Sequence, residues 1–244
     1  MEFSLYQPRT YRQSHESADL VSFTVSVAET NLFVSTRSDL ERKTHRLVLK
    51  YRGILERYIA GRPDFLTSLK PVAVEGNAPL IVRDMAGAAR RAGVGPMAAV
   101  AGAMAQFIGE ELLKYSADVI IENGGDIYIK STRDRVIGIY AGNLPLSGKI
   151  GIEIAAAETP CGICTSSGAM GHSLSFGKAD AVTIIAPSAS QADAAATACG
   201  NVIQTADDIE RGLALAESIS SVTGAVIIVG DRVGAWGRVR LKRL

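Results

Sequence analysis

The feature that most constrains the fold is a tight turn between two apolar runs in residues 119–131, VIIENGGDIYIKS. Both runs are rich in β-branched residues, which favour strands. Between them stand Asn123, Gly124, Gly125 and Asp126, and adjacent glycines allow the positive φ angles that a tight hairpin turn requires. The stretch therefore predicts a β-hairpin. A second interpretation stays open, in which the bare glycine backbone also lets a ligand approach.

Short turns between apolar runs recur along the chain. Residues 19–36 alternate apolar and polar side chains in two runs, and residues 224–244 contain two more. Residues 40–61 and 97–116 instead show apolar residues at helical spacing. Because strand pairs outnumber strand–helix–strand crossovers, we predict an α+β fold with largely antiparallel sheets packed with helices. No linker-like stretch divides the chain, so residues 1–244 are expected to form a single domain.

The composition excludes several classes of function. Hydrophobic residues make up 47% of the chain and the net charge is +1, so we expect no nucleic-acid partner and no membrane partner. The N-terminus lacks the pattern of a signal peptide, and no apolar run reaches membrane-spanning length. Three cysteines argue against a disulfide framework. We therefore expect a cytoplasmic protein, and a homo-oligomer is compatible with these numbers.

Cys161 and Cys164 form a Cys-x-x-Cys motif, whose spacing is compatible with zinc binding or redox chemistry. A zinc site would also need Cys199 and a histidine such as His172, but no second paired motif is present. Redox chemistry favours such a motif at a helix N-terminus, whereas residues 165–168 predict a turn or loop. A small buried pair of thiols is the simpler interpretation. A thiol-dependent role in sulfur metabolism stays open as an alternative.

Residues 165–182, TSSGAMGHSLSFGKADAV, are rich in glycine, serine and threonine. Loops of this composition can offer backbone amides and hydroxyls to phosphate oxygens, although a plain surface loop fits equally well. The segment contains His172, which could act as a general base, as a ligand or only as a hydrogen-bonded loop residue. It also contains Asp180, which stands directly before a clear strand pattern.

Asp193 and Thr197 are four residues apart in a segment with helical character, so they are expected on one helix face. A carboxylate and a hydroxyl placed together could hold a hard cation or bond to the preceding loop. A carboxylate in the first helical turn is also favoured by the helix dipole without any function. Spacing alone favours this structural role for Asp193.

Taken in order, these motifs resemble those of the ApbE family of FAD:protein FMN transferases, known earlier as thiamine-biosynthesis lipoproteins. That family carries an Asn-x-Gly-Gly-Asp turn, a Thr-Ser-Gly loop leading to a histidine, and an Ala-Asp-Ala-x-Ala-Thr-Ala helix. The corresponding segments here are residues 123–126, residues 165–168 with His172, and residues 192–198. Order and spacing agree over residues 90–205, and the chain looks most similar to a short cytoplasmic ApbE-like branch.

The resemblance implies a T-fold-related, ApbE-like fold that binds FAD, FMN or a related nucleotide, with a protein acceptor as a possible partner. The ligand-binding residues implied are Asn123, Gly124, Gly125, Asp126, Thr165, Ser166, Ser167 and Gly168. The candidate catalytic residues are His172 and Asp180. The candidate magnesium ligands are Asp193 and Thr197.

Two departures from the family pattern bear on activity. In the family the histidine leads into an Asp-Pro-x-Thr-Gly segment that helps to hold magnesium, whereas residues 173–178 here contain no aspartate. Gln106 stands about where the family usually has a lysine. Without the cation, cleavage of the FAD pyrophosphate loses electrostatic stabilisation, and magnesium itself is an open question. We therefore expect a flavin-binding, degenerate FAD:protein FMN transferase, with a non-catalytic binding or assembly protein as the alternative.

Overall fold

The secondary structure consists of paired strands separated by two helical segments, in a computed structural model that describes residues 19–142, 147–168 and 177–244. The strands are β1 Val21–Val27, β2 Thr30–Thr36, β3 Val119–Asn123, β4 Asp126–Lys130, β5 Arg135–Gly138, β6 Ile150–Ile154, β7 Cys161–Ser166, β8 Ala181–Ala186, β9 Gly224–Val229, β10 Arg232–Gly237 and β11 Leu241–Arg243. The helices are α1 Glu41–Gly61, α2 Pro63–Thr67, α3 Leu80–Ala92, α4 Val100–Leu112, α5 Ala189–Asn201 and α6 Ile209–Ser218.

These strands form two antiparallel sheets. The large sheet has the order β1-β2-β3-β4-β7-β8-β9-β10, and the small sheet has the order β11-β6-β5. Each helical segment returns the chain beside the strand that it left, because β2 pairs with β3 and β8 pairs with β9. The predicted α+β fold with largely antiparallel sheets is confirmed. The short strand β11 was not predicted from the sequence.

The central strands of the large sheet are buried on both faces. Along β3 and β4, Ile121 and Tyr128 belong to the core beneath the helices, whereas Ile127 and Ile129 belong to the core beneath the small sheet. This division follows from the alternation of side chains along a strand. A strand covered on both sides needs apolar residues on both faces, which explains why β8 reads AVTIIA without strict alternation.

Side-chain oxygens accept backbone hydrogen bonds at the start of two helices. α1 begins after Asp39, whose carboxylate accepts a hydrogen bond from the N–H of Glu41 at 2.9 Å. α5 begins after Ser188, whose hydroxyl accepts from the N–H of Gln191. Among the described residues no single helix is long and apolar enough to cross a membrane. Two consecutive segments, Leu80–Ala92 and Pro96–Leu112, are long and apolar enough only when taken together, and the chain bends by 104° between them.

The backbone of α5 is held between α4 and β7 at Ala189. A Cβ atom on Gly102 of α4 would stand 2.2 Å from the carbonyl oxygen of Ala189. On the other side, a Cβ atom on Gly162 of β7 would stand 2.3 Å from the Cα atom of Ala189. Both distances are far below a van der Waals contact, so only glycine permits this approach. The run of small residues in α4 thus serves close packing against α5.

Asp118 ties the start of β3 to two other segments. Its carboxylate accepts hydrogen bonds from Arg37 Nε at 2.5 Å, from the N–H of Thr132 at 2.6 Å and from Ser131 Oγ at 3.1 Å. Burial raises the pKa of Asp118, but the hydrogen bonds from Thr132, Arg37 and Ser131 outweigh it and lower the pKa to about 2. The end of β2 and the β4–β5 connection are thereby fixed to one buried charge.

We expect Asp118→Asn to lower the free energy of unfolding at neutral pH by about 1.5–3 kcal/mol, the range for hydrogen bonds to a charged group. The folded-state pKa of Asp118 is depressed. Its contribution is therefore complete above the unfolded pKa of about 3.9 and is lost as the pH falls toward the folded pKa. Urea unfolding across the acid range measures this. If lowering the pH below 4 reduced the free energy of unfolding equally in the wild type and in Asp118→Asn, the expected loss of the Asp118 contribution would be contradicted.

We also expect Gly102→Ala to destabilise the protein by about 1–3 kcal/mol, because the added methyl group forces α4 and α5 apart. Gly87→Ala in α3 is the matched control, since its Cβ atom would meet only Arg91 Nη1 at 3.6 Å. The control should be neutral or stabilising by about 0.5–1 kcal/mol, because alanine favours a helix interior over glycine. Urea unfolding of both variants tests the pair, and a Gly102→Ala protein as stable as wild type would refute the close contact.

Candidate functional site

The turn between β3 and β4 is a two-residue hairpin turn at one edge of the helix-covered face. Asn123 pairs with Asp126, and Gly124 and Gly125 have φ angles of 69° and 106°, as the sequence predicts. The turn is fixed on both sides. Asn123 Nδ2 donates to the carbonyl oxygen of Ala101 at 3.1 Å, and the N–H of Gly125 donates to Glu122 Oε1 at 2.8 Å. A Cβ atom on Gly124 would meet nothing within 4 Å, so the turn is open at this point.

Asp126 and Asp193 form a pair of buried carboxylates between β4 and α5. Their exposed fractions are 8% and 9%. Burial, followed by the charge of Asp193, raises the pKa of Asp126 well above its usual value, and burial also raises the pKa of Asp193. Within the described ranges, neither carboxylate has an arginine or lysine partner. A buried like-charge pair of this kind is neutralised either by a proton or by a cation.

Asp193 also holds the N-terminus of α4. Its Oδ2 accepts a hydrogen bond from the N–H of Gly102 at 2.9 Å, and the N–H of Ala101 likewise favours its charged form. These N–H groups lie in the first turn of α4, where no helical carbonyl can accept from them. Asp193 is the fifth residue of α5, so the expectation that it lies in the first turn of its own helix is wrong. Its structural role is to cap a neighbouring helix.

Cys164 lies beside this carboxylate pair. It is paired with Asp126 across β4 and β7, and its Sγ donates to the carbonyl oxygen of Ala189 at 3.2 Å. Burial, then the charges of Asp126 and Asp193, raises the pKa of the Cys164 thiol well above its usual value. Cys164 is therefore a neutral thiol that packs against the site, since a thiolate here would meet two carboxylates.

Cys161 lies on the opposite face of the sheet. It belongs to the core beneath the small sheet, while Cys164 belongs to the core beneath the helices. The turn or loop expected at residues 165–168 begins only after Ser166, because Cys161–Ser166 form strand β7. An odd spacing on a strand separates two side chains across the sheet. Both thiols are free and buried. A redox pair formed by Cys161 and Cys164 is excluded by this geometry.

The glycine- and serine-rich segment leaves the sheet next to the turn. Thr165 and Ser166 are the last residues of β7 rather than loop residues, and Ser167 and Gly168 follow them. Thr165 donates its N–H to the carbonyl oxygen of Gly125 at 3.2 Å. All four residues are half-buried or exposed at this edge. The structure thus brings the two predicted ligand-binding segments into direct contact.

The two ends of the described part of this segment meet beside α5. A Cβ atom on Gly168 would stand 2.1 Å from the carbonyl oxygen of Gly177, and one on Gly177 would stand 1.8 Å from that of Gly200. Gly200 is near the C-terminus of α5, about 10 Å along the helix from Asp193 at 1.5 Å per residue. His172 lies outside the described residues, so its catalytic role stays a prediction.

Asp180 makes a contact that the sequence does not reveal. Its Oδ2 accepts a hydrogen bond from the N–H of Gly230 at 2.8 Å, in the turn between β9 and β10. This contact fixes the start of β8 to the neighbouring hairpin. The structure thus gives Asp180 a structural partner away from the carboxylate pair, and its catalytic role stays a prediction.

Thr197 is the remaining predicted metal ligand. It is half-buried on α5, one turn beyond Asp193 and on the same face by helical spacing. In the described part of the chain, no three His, Cys, Asp or Glu side chains are grouped closely enough to hold a metal. Two carboxylates and one hydroxyl are the candidate side-chain ligands at this point, and these three groups alone do not form a closed cage.

Sequence reasoning missed two residues that organise the site. Gly102 brings the N–H groups of α4 to Asp193. Small residues surround it in the sequence, and a run of this kind permits such a close approach (Ala98, Ala99, Ala101, Ala103 and Ala105). Gln106 accepts a hydrogen bond through Oε1 from the N–H of Ala189 at 2.8 Å and from Ser188 Oγ at 3.0 Å. It therefore caps α5 from α4, at the position noted as a departure from the family pattern. Nothing in the local sequence predicts that partner.

Comparisons with known proteins agree with the fold. The family model described as AbpE bacteria matches residues 12–235. A UPF0280 protein of Methanococcus aeolicus is 42% identical over 224 residues, which cover 88% of this chain and 89% of the relative. The UPF0280 protein of Methanocaldococcus jannaschii is 42% identical over 221 residues, covering 88% of this chain and 90% of the relative.

Solved structures show the same fold at low sequence identity. The apo form of the flavinyl transferase ApbE of Pseudomonas stutzeri has a TM-score of 0.55 at 15% identity, covering 89% of this chain and 94% of that protein. The ApbE protein of Thermotoga maritima has a TM-score of 0.56 at 14% identity, covering 88% and 96%. The chain therefore belongs to the family that the AbpE model describes, an ApbE-like family that includes the UPF0280 proteins of archaea.

Proposed function

We propose that this protein binds FAD, FMN or a related nucleotide together with a divalent cation, at the edge of the sheet formed by the Gly124–Gly125 turn. The observation that carries the proposal is the pair of buried carboxylates, Asp126 and Asp193, which lies behind this turn without an arginine or lysine partner among the described residues. A cation bound between them offsets the cost of burying two negative charges. The same cation attracts the phosphates of a nucleotide.

The available oxygens suit magnesium better than a metal that needs a closed protein site. Magnesium is commonly bound by one or two carboxylates, with waters and substrate phosphates completing its coordination. Asp126 and Asp193 supply the carboxylates, and Thr197 adds a hydroxyl one helical turn away. Magnesium bound here would neutralise negative charge on the phosphates of the ligand.

The remaining polar groups of this edge suit phosphate recognition. Thr165, Ser166 and Ser167 offer hydroxyls and backbone amides where β7 ends. Gly124 leaves open space beside them, because a Cβ atom there would meet nothing within 4 Å. The ApbE proteins of Pseudomonas stutzeri and Vibrio cholerae, which have the same fold, are described as flavinyl or flavin transferases, and this supports a flavin as the nucleotide.

The proposed activity is that of a degenerate FAD:protein FMN transferase. In this role His172 would exchange a proton with the reacting groups, and Asp180 is the second candidate. The chain lacks the Asp-Pro-x-Thr-Gly segment after His172, so fewer groups can stabilise the charge that develops on the pyrophosphate. We therefore propose binding as the main property, with slow transfer chemistry.

A non-catalytic member of the same fold is the second candidate. The hydrogen bond from Gly102 to Asp193 favours it, because this carboxylate has a structural use without any ligand. Asp193→Asn separates the two roles. The amide oxygen of asparagine still accepts from Gly102, whereas the negative charge that a cation requires is gone.

We expect FAD, FMN or ADP with magnesium to raise the melting temperature of the wild-type protein. A ligand at about 100 times its Kd adds about 2.7 kcal/mol, or about 5–10 °C for a domain of this size. Asp193→Asn and Asp126→Asn should fold with near-wild-type stability and lose this response. Asp207→Asn, an exposed acid paired with Arg232, is the control that keeps it. No shift with any of the three nucleotides at millimolar concentration would refute nucleotide binding.

We further expect magnesium-dependent release of AMP from FAD to be at least about 100-fold slower than in an ApbE protein that contains the full Asp-Pro-x-Thr-Gly segment. Loss of one electrostatic stabiliser of a transition state typically costs a factor of roughly 10²–10³. Chromatographic assay of AMP measures the rate, with the intact family member as the reference. A comparable rate would mean that other groups of this chain replace the missing ligands.

A further inference from the structure

Helices α4 and α5 cap each other through two side chains that cross in opposite directions. Asp193 of α5 reaches the first turn of α4, where its Oδ2 accepts from the N–H of Gly102 at 2.9 Å. Gln106 of α4 reaches the start of α5, where its Oε1 accepts from the N–H of Ala189 at 2.8 Å and from Ser188 Oγ at 3.0 Å. Both N–H groups lie in the first turn of their helix, where the helix itself offers no acceptor.

The two caps lie one helical turn apart on both helices. Gly102 and Gln106 are four residues apart on α4, and Ala189 and Asp193 are four residues apart on α5. Four residues of helix span about 6 Å, so the caps form two separate attachments between α4 and α5. One attachment would leave α5 free to pivot about it. Two attachments fix both the rotation of α5 and its position along α4.

Packing alone does not set this position. The close approach of Gly102 and Gly162 to Ala189 fixes the distance between the backbones. However, α5 reads ASQADAAATACGN, and its small side chains form shallow ridges that interlock weakly with a neighbouring helix. Dispersion contacts of this kind have no preferred direction, whereas hydrogen bonds do. The register of α5 against α4 therefore depends on the two caps.

The amide of Gln106 can have only one orientation. A backbone N–H always donates, so the amide oxygen must face Ala189, and Nε2 then donates to Glu110 Oε1 at 2.9 Å. The Ser188 hydroxyl gives its single proton to Gln106 and accepts from Ser190 Oγ, which is 2.7 Å away. The residue at position 106 must therefore offer an acceptor to α5, and glutamine does so without adding a charge.

We propose that Gln106 is a positioning residue of the candidate cation and nucleotide site. It holds the first residue of α5 and thereby keeps Asp193, one turn further on, at the N–H of Gly102 and beside Asp126. Gln106 acts through Asp193 and is not itself a ligand. Its effect on cation binding rests on the proposed function, whereas its effect on the position of Asp193 does not.

Gln106→Met and Gln106→Glu test this proposal, because both side chains resemble glutamine in length and only glutamate offers an oxygen to α5. Hydrogen exchange of the full chain reports the local opening of single amides. In Gln106→Met the protection of the Gly102 amide should fall about three- to tenfold more than that of the Ile121 amide in β3, the factor expected for one hydrogen bond. Gln106→Glu should protect Gly102 as the wild type does.

Two controls separate positioning from a general loss of stability. Glu110→Ala removes the partner of Gln106 Nε2 and leaves Oε1 bound to α5, so Gly102 should keep its wild-type protection. Asp39→Ala removes a capping oxygen from α1 and should not lower the protection of Gly102 relative to Ile121. A folded Gln106→Met protein in which Gly102 is as protected, relative to Ile121, as in the wild type would overturn the proposal.

Calorimetric titration with magnesium in the presence of ADP gives the second readout. The Kd for magnesium should rise about three- to tenfold in Gln106→Met and stay at the wild-type value in Glu110→Ala. Lost protection of Gly102 with an unchanged Kd for magnesium would overturn the role of Gln106 in the site. A wild-type protein that binds no magnesium would overturn the proposed function instead, and the exchange of Gly102 would still decide whether Gln106 positions Asp193.

Discussion

The hydrogen bond from the N–H of Gly102 to the carboxylate of Asp193 is the contact on which the rest of the site depends. It joins the first turn of α4 to the second turn of α5 at a buried position, where the two backbones already approach through Gly102. It also places Asp193 against Asp126, and burial raises the pKa of both carboxyls. One helix N-terminus thus compensates part of the charge of Asp193. A proton or a cation must neutralise the remaining charge of the pair.

The hairpin and the general architecture could be predicted because they rest on local chemistry. Gly124 and Gly125 adopt positive φ angles, and Gly230 does the same in the turn between β9 and β10. These positions follow from the turn itself, without knowledge of any distant partner. Alternating apolar residues then place the strands side by side, and short turns make them antiparallel. Local signals of this kind are sufficient for an α+β assignment.

The site was only partly predictable because its partners are distant in sequence. The spacing of Asp193 and Thr197 indicates one helix face, but it does not reveal Asp126 or the N–H of Gly102; only the family resemblance joined these segments. Asp180 was placed among the catalytic candidates, yet its carboxylate accepts from Gly230 in another hairpin. Cys161 and Cys164 resembled a functional motif until the strand separated them across the sheet. For Asp193 and Asp180 the partners are distant in sequence, whereas the two cysteines are separated by the alternation of side chains along β7.

The Gly124–Gly125 turn controls both faces of the sheet through the register that it imposes. With Asn123 paired to Asp126, Glu122 lies on the face of the sheet that carries Ile127 and the small sheet, while Asp126 is directed to Asp193. Side chains alternate along a strand, so a slip of one residue in β4 would bury Ile127 against α5 and turn Asp126 toward the small sheet. Glu122 opposes such a slip, because its Oε1 holds the N–H of Gly125. A carboxylate of one face therefore fixes the position of a carboxylate on the other.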